Sequence, residues 1–390
     1  MVHIHPFPAR MAPEIVLSKL ENLPKNYIVL DPMSGSGMVL GAAAKLGLSA
    51  IGYDIDPLAC LVSKVNGTKV NEGQAKNALN VLLEKCSETQ IDFTSLEWID
   101  DETQNYIDFW FAPKQQAQLR QLSYFLVSNP LFTNSKIIDL LKVSVSRLII
   151  TKEPTASRAR DTAHSRPHRT IDNNEFDIFS ALPKSLNHVL RALETDKVVA
   201  NVRMYKGDAR HIGRVKDASI DCIVTSPPYL NAIDYIRGHR LSLVWLGYNL
   251  SQLRVIRSRS VGAEISENKP ANIILQTFLD YLHTDVDDRK KSMIKRYFGD
   301  LCQITDEAYR VLKAGSRATY VVGNSRIKGH EIRNSDLLIS AAKLSGLQLI
   351  DQQIREIPEN RRYMPLVNAS KSELSKRMRS EHILIFKKTS

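Results

Sequence analysis

The apolar positions of this chain fall into short unbroken runs and longer stretches of helical spacing. Tyr27-Ile28-Val29-Leu30 is one such run, short enough for a strand buried on both faces. It leads into Asp31-Pro32-Met33-Ser34-Gly35-Ser36-Gly37 and then into Ala42-Ala43-Ala44-Lys45-Leu46, which are strong helix formers. Ser49 to Asp54 predicts a second strand, with Asp56 as N-cap and Pro57 as first residue of the next helix. Upstream, Pro13 suits the first turn of a helix carrying Ile15, Val16 and Leu20. Ala75, Ala78, Leu79, Leu82 and Leu83 recur at helical spacing within a helical stretch over 73–125, and 136–150 predicts another apolar helix. Strands are expected over 202–210, 220–225 and 318–324, and an amphipathic helix runs through Trp245 and Leu246. A helix over 335–346 precedes two closing strands, 347–354 and 382–387, antiparallel at one edge. Strands that alternate with helices predict an α/β, doubly wound sheet.

The first strand, turn and helix read as a ligand-binding βαβ unit. Glycine has no Cβ, so backbone can pass close to a ligand at Gly35 and Gly37. The helix that follows offers unpaired N–H groups to polar atoms. Asp54 ends the second strand about 20 residues after the glycines, the spacing of an acid that holds a ribose by its hydroxyls. The expected ligand is an adenosine-type cofactor. Asp31 is expected to accept hydrogen bonds from the loop or from a cofactor amino group.

A second motif lies far downstream. The buried run Ile220 to Thr225 delivers Ser226-Pro227-Pro228-Tyr229 to the carboxyl edge of the sheet, where such folds bind their ligands. Asp-Pro-Met-Ser-Gly-Ser-Gly followed by Thr-Ser-Pro-Pro-Tyr resembles the S-adenosylmethionine-dependent DNA amino-methyltransferases, which methylate the N4 of cytosine or the N6 of adenine. The Ser-Pro-Pro-Tyr form resembles the cytosine-N4 members more. The resemblance implies a class I methyltransferase fold, Rossmann-like and mostly parallel, with a large, mainly helical insertion. It implies S-adenosyl-L-methionine as cofactor, held by Asp31, Pro32, Ser34, Gly35, Gly37 and Asp54. Phe7 and Pro8 would wall its methionine end, and Asp208 would read its adenine amino group. Ser226 and the carbonyl of Pro227 would accept the N–H bonds of the target amine. Pro228 stiffens the turn, and Tyr229 would stack on a base flipped out of double-stranded DNA. A cognate restriction endonuclease is the partner such a system would have.

Within that frame, residues 1–84 form the cofactor-binding part, 85–198 an inserted target-recognition region, and 199–390 the catalytic part with a helical insertion over 230–300. Adenine-N6 transfer, methylation of an RNA base amine, and a non-catalytic DNA-binding protein on the same scaffold remain as alternatives. Cytosine-C5 chemistry fits poorly, because it needs a cysteine after a proline, and none of Cys60, Cys86, Cys222 and Cys302 follows one.

Charge adds a location for the nucleic acid. The 390 residues carry 53 Lys and Arg against 42 Asp and Glu, a net charge of +11 that suits a polyanionic partner. Residues 151–170 hold almost no apolar side chain. There Arg158, Arg160, Arg166 and Arg169 are candidates to meet phosphates or guanine edges. No cysteine or histidine cluster has metal-ligand spacing. No apolar run is long enough to cross a bilayer and the start lacks a signal-peptide core, so a cytoplasmic protein is expected.

Overall fold

A computed structural model describes residues 3–7, 11–89, 91, 96–149, 151, 155–160, 167–194, 201–230, 234–262, 288–327, 330–357 and 380–389. Its frame is a seven-stranded sheet. The strands are β1 (Ile28–Asp31), β2 (Ser49–Asp54), β3 (Val202–Lys206), β4 (Ile220–Thr225), β5 (Leu312–Val322), β6 (Leu347–Glu356) and β7 (Ser380–Lys388). Their order across the sheet is β3-β2-β1-β4-β5-β7-β6. β1, β2, β3, β4 and β5 run parallel, while β7 is antiparallel to both β5 and β6. This order, with its reversed seventh strand, is the class I methyltransferase sheet that was expected.

The central strands form because both of their faces are covered. β4 is buried at all six positions. Along β1 and β4 successive side chains enter opposite cores. Val29, Cys222 and Val224 pack with α1 (Pro13–Leu20) and α2 (Met38–Lys45). Leu30 and Ile223 pack with α11 (Asp288–Val311) and α12 (Asn334–Leu344) on the other face. α3 (Pro57–Asn66) starts as expected, with Asp56 accepting the Leu58 N–H at 2.8 Å and proline in the first turn.

Between β2 and β3 the chain makes a helical layer. It contains α4 (Glu72–Glu88), α5 (Asp101–Trp110), α6 (Pro113–Ser123), α7 (Ser135–Ser146) and α8 (Ile178–Glu194). α9 (Tyr235–Leu243) and α10 (Leu250–Ser258) follow β4. The expected division after residue 84 falls inside α4, which is continuous to Glu88. The helical layer also shares one apolar core with Leu58, Val62 and Val65 of α3 and with Ile236 to Trp245 around α9. The insertion is therefore welded to the helices that flank both motifs. Two short ribbons complete the fold, Ala159–Arg160 with His168–Arg169 and Ser325–Ile327 with His330–Ile332. Among the described residues no helix is long and apolar enough to cross a membrane, and no group of His, Cys, Asp or Glu could hold a metal ion.

Candidate active site

β1 and β4 are parallel neighbours, with Val29 opposite Cys222 and Leu30 opposite Ile223. Both strands therefore release their next residues at the same edge of the sheet. There the two motifs touch: Thr225 Oγ1 donates to Asp31 Oδ1 at 2.7 Å. Residues 194 apart in sequence thus share one buried hydrogen bond.

The glycine turn is built from its own backbone and from α3. The Met33 N–H reaches Asp31 Oδ1 at 3.2 Å, and the Ser34 hydroxyl donates to the Asp31 carbonyl at 2.8 Å. Ser63 Oγ donates to the Gly35 carbonyl at 3.0 Å. Asn66 Nδ2 reaches the carbonyls of Ser36 and Gly37 at 3.3 and 3.2 Å. Gly35 and Gly37 both have positive φ, 50° and 77°. Gly37 is the N-cap of α2 and no side chain caps that helix. The first-turn donors are thus left for a ligand.

Asp54 closes the turn from β2. Its Oδ2 accepts the Gly35 N–H at 2.8 Å and its Oδ1 the Asp56 N–H at 2.9 Å. Phe7 lies over the same turn, with Cε1 3.6 Å from where a Cβ on Gly35 would stand. Its ring stacks on Tyr235 and lies 4.8 Å from the His239 ring. Pro8 lies outside the described residues, while Pro32 and Ser34 are buried in the turn.

Burial pushes both carboxyls up, to about 7 for Asp31 and about 7 for Asp54. At Asp54 the charge of Asp56 adds to the effect. Unfolded aspartates ionise near 4, so between about pH 4 and 7 the folded chain holds more protons than the unfolded one. These groups therefore make the ligand-free protein lose stability as pH rises through that window. Asp31→Asn keeps an acceptor for Thr225 and removes the titration. Its melting temperature relative to the parent is expected to improve from pH 4 to pH 7. A difference that stays flat across the window would show that Asp31 does not titrate there.

At the far side of β2, the Gly207 N–H donates to the Asp54 carbonyl at 2.9 Å, which brings the segment of Asp208 beside the end of β2. Asp208 accepts from Nε and Nη2 along one edge of the Arg210 guanidinium, at 2.9 and 2.6 Å, and Arg210 Nη1 donates to Asp300 at 2.6 Å. In the Ser-Pro-Pro-Tyr turn, Ser226 Oγ donates to the Val321 carbonyl at 2.9 Å. The Tyr229 hydroxyl lies close to Ser226 and to Glu381 of β7, and its half-buried ring packs against the α11 core. Burial holds the Glu381 carboxyl above its ordinary range, against the pull of Arg355 at 3.1 Å.

Of the basic loop, residues 151, 155–160 and 167–170 are described. Arg158 Nη1 donates to the Asp108 carbonyl at 3.0 Å at the end of α5, so its guanidinium is turned onto the protein. Arg169 bonds Asp172 at 2.6 Å and lies over the half-exposed Phe109 ring at 5.1 Å. Arg160 is exposed, and Arg166 lies outside the described residues.

Four contributors were not singled out from the sequence: Thr225, Ser63, His239 and Glu381. Thr225 stands in the motif run itself. The other three are brought in by α3, α9 and β7, and only tertiary packing reveals them.

A family model described as DNA methylase, of the N6 and N4 type, matches residues 1–64. The chain is also similar to the Type II methyltransferase M.MvaI of Kocuria varians, with 24% identity over 98% of this chain and 90% of that one. Similarity to the Type II methyltransferase M.BsoBI of Geobacillus stearothermophilus is 24% over 82% and 73%. For M.AvaI of Nostoc sp. it is 22% over 80% and 71%. With a glycine turn and a Ser-Pro-Pro-Tyr turn joined at one edge of a class I sheet, the chain is similar to the S-adenosylmethionine-dependent amino-methyltransferases, a likeness that does not separate the N4 from the N6 type.

Proposed function

We propose that this chain methylates the N4 amine of cytosine in double-stranded DNA, in the cytoplasm, as the modification half of a restriction system. The observation that carries the reading is the Thr225–Asp31 hydrogen bond, which fixes the cofactor turn and the catalytic turn side by side. The residues present fit S-adenosylmethionine: a turn of two positive-φ glycines, an uncapped helix start, a carboxylate at Asp54 and the Phe7 ring over Gly35. Asp208, already oriented by Arg210, remains the candidate for the adenine amino group.

When bound, the cofactor supplies an electrophilic methyl group on a sulfonium. The chain's task is to make an exocyclic amine nucleophilic and to aim it. The nitrogen lone pair of such an amine is delocalised into the base. Acceptors on its N–H bonds draw the nitrogen towards tetrahedral geometry and restore that lone pair. Ser226 Oγ and the Pro227 carbonyl are those acceptors. Pro228 has no N–H to compete and a fixed φ, so the turn stays in place. Tyr229 provides a ring for the flipped base. Holding both reactants in one geometry, in a site shielded from water, supplies most of the rate. The helical layer and its exposed Arg160, with Phe109 and Arg169 nearby, form the face that would meet DNA. A cognate endonuclease would recognise the same sequence.

Serine in place of aspartate before the prolines favours cytosine. Labelled S-adenosylmethionine, duplex DNA and the protein, followed by digestion to nucleosides, are expected to give N4-methylcytosine. N6-methyladenine would move the target to adenine, and labelling of tRNA with none of duplex DNA would overturn the DNA reading.

A further inference from the structure

Asp56 does more than cap α3. Its Oδ1 accepts the Leu58 N–H, while Oδ2 pairs with Nδ1 of His239 at 2.5 Å, across 183 residues of sequence. His239 is 3% exposed. Its other ring nitrogen, Nε2, is buried and has no hydrogen-bond partner among the described residues. A dry, unpaired imidazole nitrogen costs about 1–3 kcal/mol, and folded proteins seldom leave one without a reason.

The surroundings of the ring supply that reason. Phe7 and Tyr235 flank it, with centroids 4.8 and 6.3 Å away. Phe7 covers Gly35, whose N–H is bound by Asp54, and the Asp56 N–H is bound by Asp54 too. His239 therefore stands beside the glycine turn and the acid that the ribose needs. Because Nδ1 gives its proton to a carboxylate, the neutral ring presents a lone pair at Nε2. A ribose cis-diol has two O–H donors. Each Asp54 oxygen already takes one backbone N–H and keeps one further lone pair, so a second acceptor beside it relieves the competition for the two hydroxyls.

We propose that His239 Nε2 accepts a hydrogen bond from one ribose hydroxyl of bound S-adenosylmethionine, while Asp54 accepts the other. His239 is then a cofactor-binding residue, and Asp56 is the positioning residue that orients it. It ties α9, which follows the catalytic turn, to the cofactor half. This inference rests on the cofactor reading above.

The test measures binding alone. Dissociation constants for S-adenosylhomocysteine and for its 2′-deoxy and 3′-deoxy analogues are taken by calorimetry on the full chain and on His239→Ala. The parent is expected to lose about 10-fold on removal of one hydroxyl, the worth of one good hydrogen bond. His239→Ala should bind S-adenosylhomocysteine about 10-fold more weakly and no longer distinguish that analogue. Should the alanine variant fail to fold, His239→Phe, which keeps an aromatic ring and has no acceptor, enters the same comparison. The proposal is overturned if the variant discriminates as the parent does, or if the parent ignores both deletions. A parent that does not bind S-adenosylhomocysteine at all would instead overturn the cofactor assignment, which keeps the two failures apart.

Discussion

Ser226→Ala is expected to lower methyl transfer by about 100-fold or more while S-adenosylhomocysteine affinity stays within about twofold. The hydroxyl has one proton, and the Val321 carbonyl takes it at 2.9 Å. Towards Tyr229 and towards any ligand, Oγ can therefore offer only lone pairs. An acceptor is what an amine about to lose a proton needs. β5 thus sets the chemical sense of the serine before substrate arrives. Tyr229→Phe separates two roles of the tyrosine. It keeps the ring and removes the hydroxyl that lies close to Ser226 and Glu381. Tyr229→Ala removes both and should cost more. Single-turnover transfer at saturating cofactor, with affinities measured separately, distinguishes these effects. Full activity in Ser226→Ala would refute the assignment of the catalytic turn, whatever the DNA specificity proves to be.

Most of the parallel sheet was legible because buried strands have little choice of composition. Ile220 to Thr225 reads as an apolar run and is buried throughout. β5 was read short, from residue 318, whereas it starts at Leu312. Lys313 to Arg317 are largely solvent-facing, so hydrophobic pattern cannot mark them as strand. The glycine turn was legible as local chemistry, and Asp54, expected to hold a ribose, accepts the Gly35 N–H of that turn. Pairings between distant segments were not. Asp56 was identified as a cap, which it is, but its second oxygen belongs to His239. Nothing in a single sequence links those two residues. Composition also could not sort the arginines of the basic loop. Arg158 caps carbonyls at the end of α5, while Arg160 faces outward, and both look alike in a polar stretch.

Gly37→Ala is expected to destabilise the protein by about 2–6 kcal/mol, from about 1–3 for the backbone and about 1–3 for crowding. Gly37 has φ of 77°, where a Cβ is strained. The added carbon would also stand 2.7 Å from Ser63 Cα and 2.8 Å from Ser63 Oγ. A backbone atom of α3 cannot swing aside as a side chain can, so α2 and α3 must separate. That movement would carry off the Ser63 hydroxyl that holds the Gly35 carbonyl. The turn should loosen and cofactor affinity should fall along with stability. Gly315→Ala is the control. Its φ is 76°, yet nothing lies within 4 Å of the added carbon. It bears the backbone strain alone, away from the site. Denaturant unfolding of both variants, compared at equal m-value, isolates the crowding against α3. Gly37→Ala should be the less stable of the two and the weaker cofactor binder. Equal losses would mean that α3 does not press on the turn, and the close packing that shapes the cofactor site would have to be abandoned.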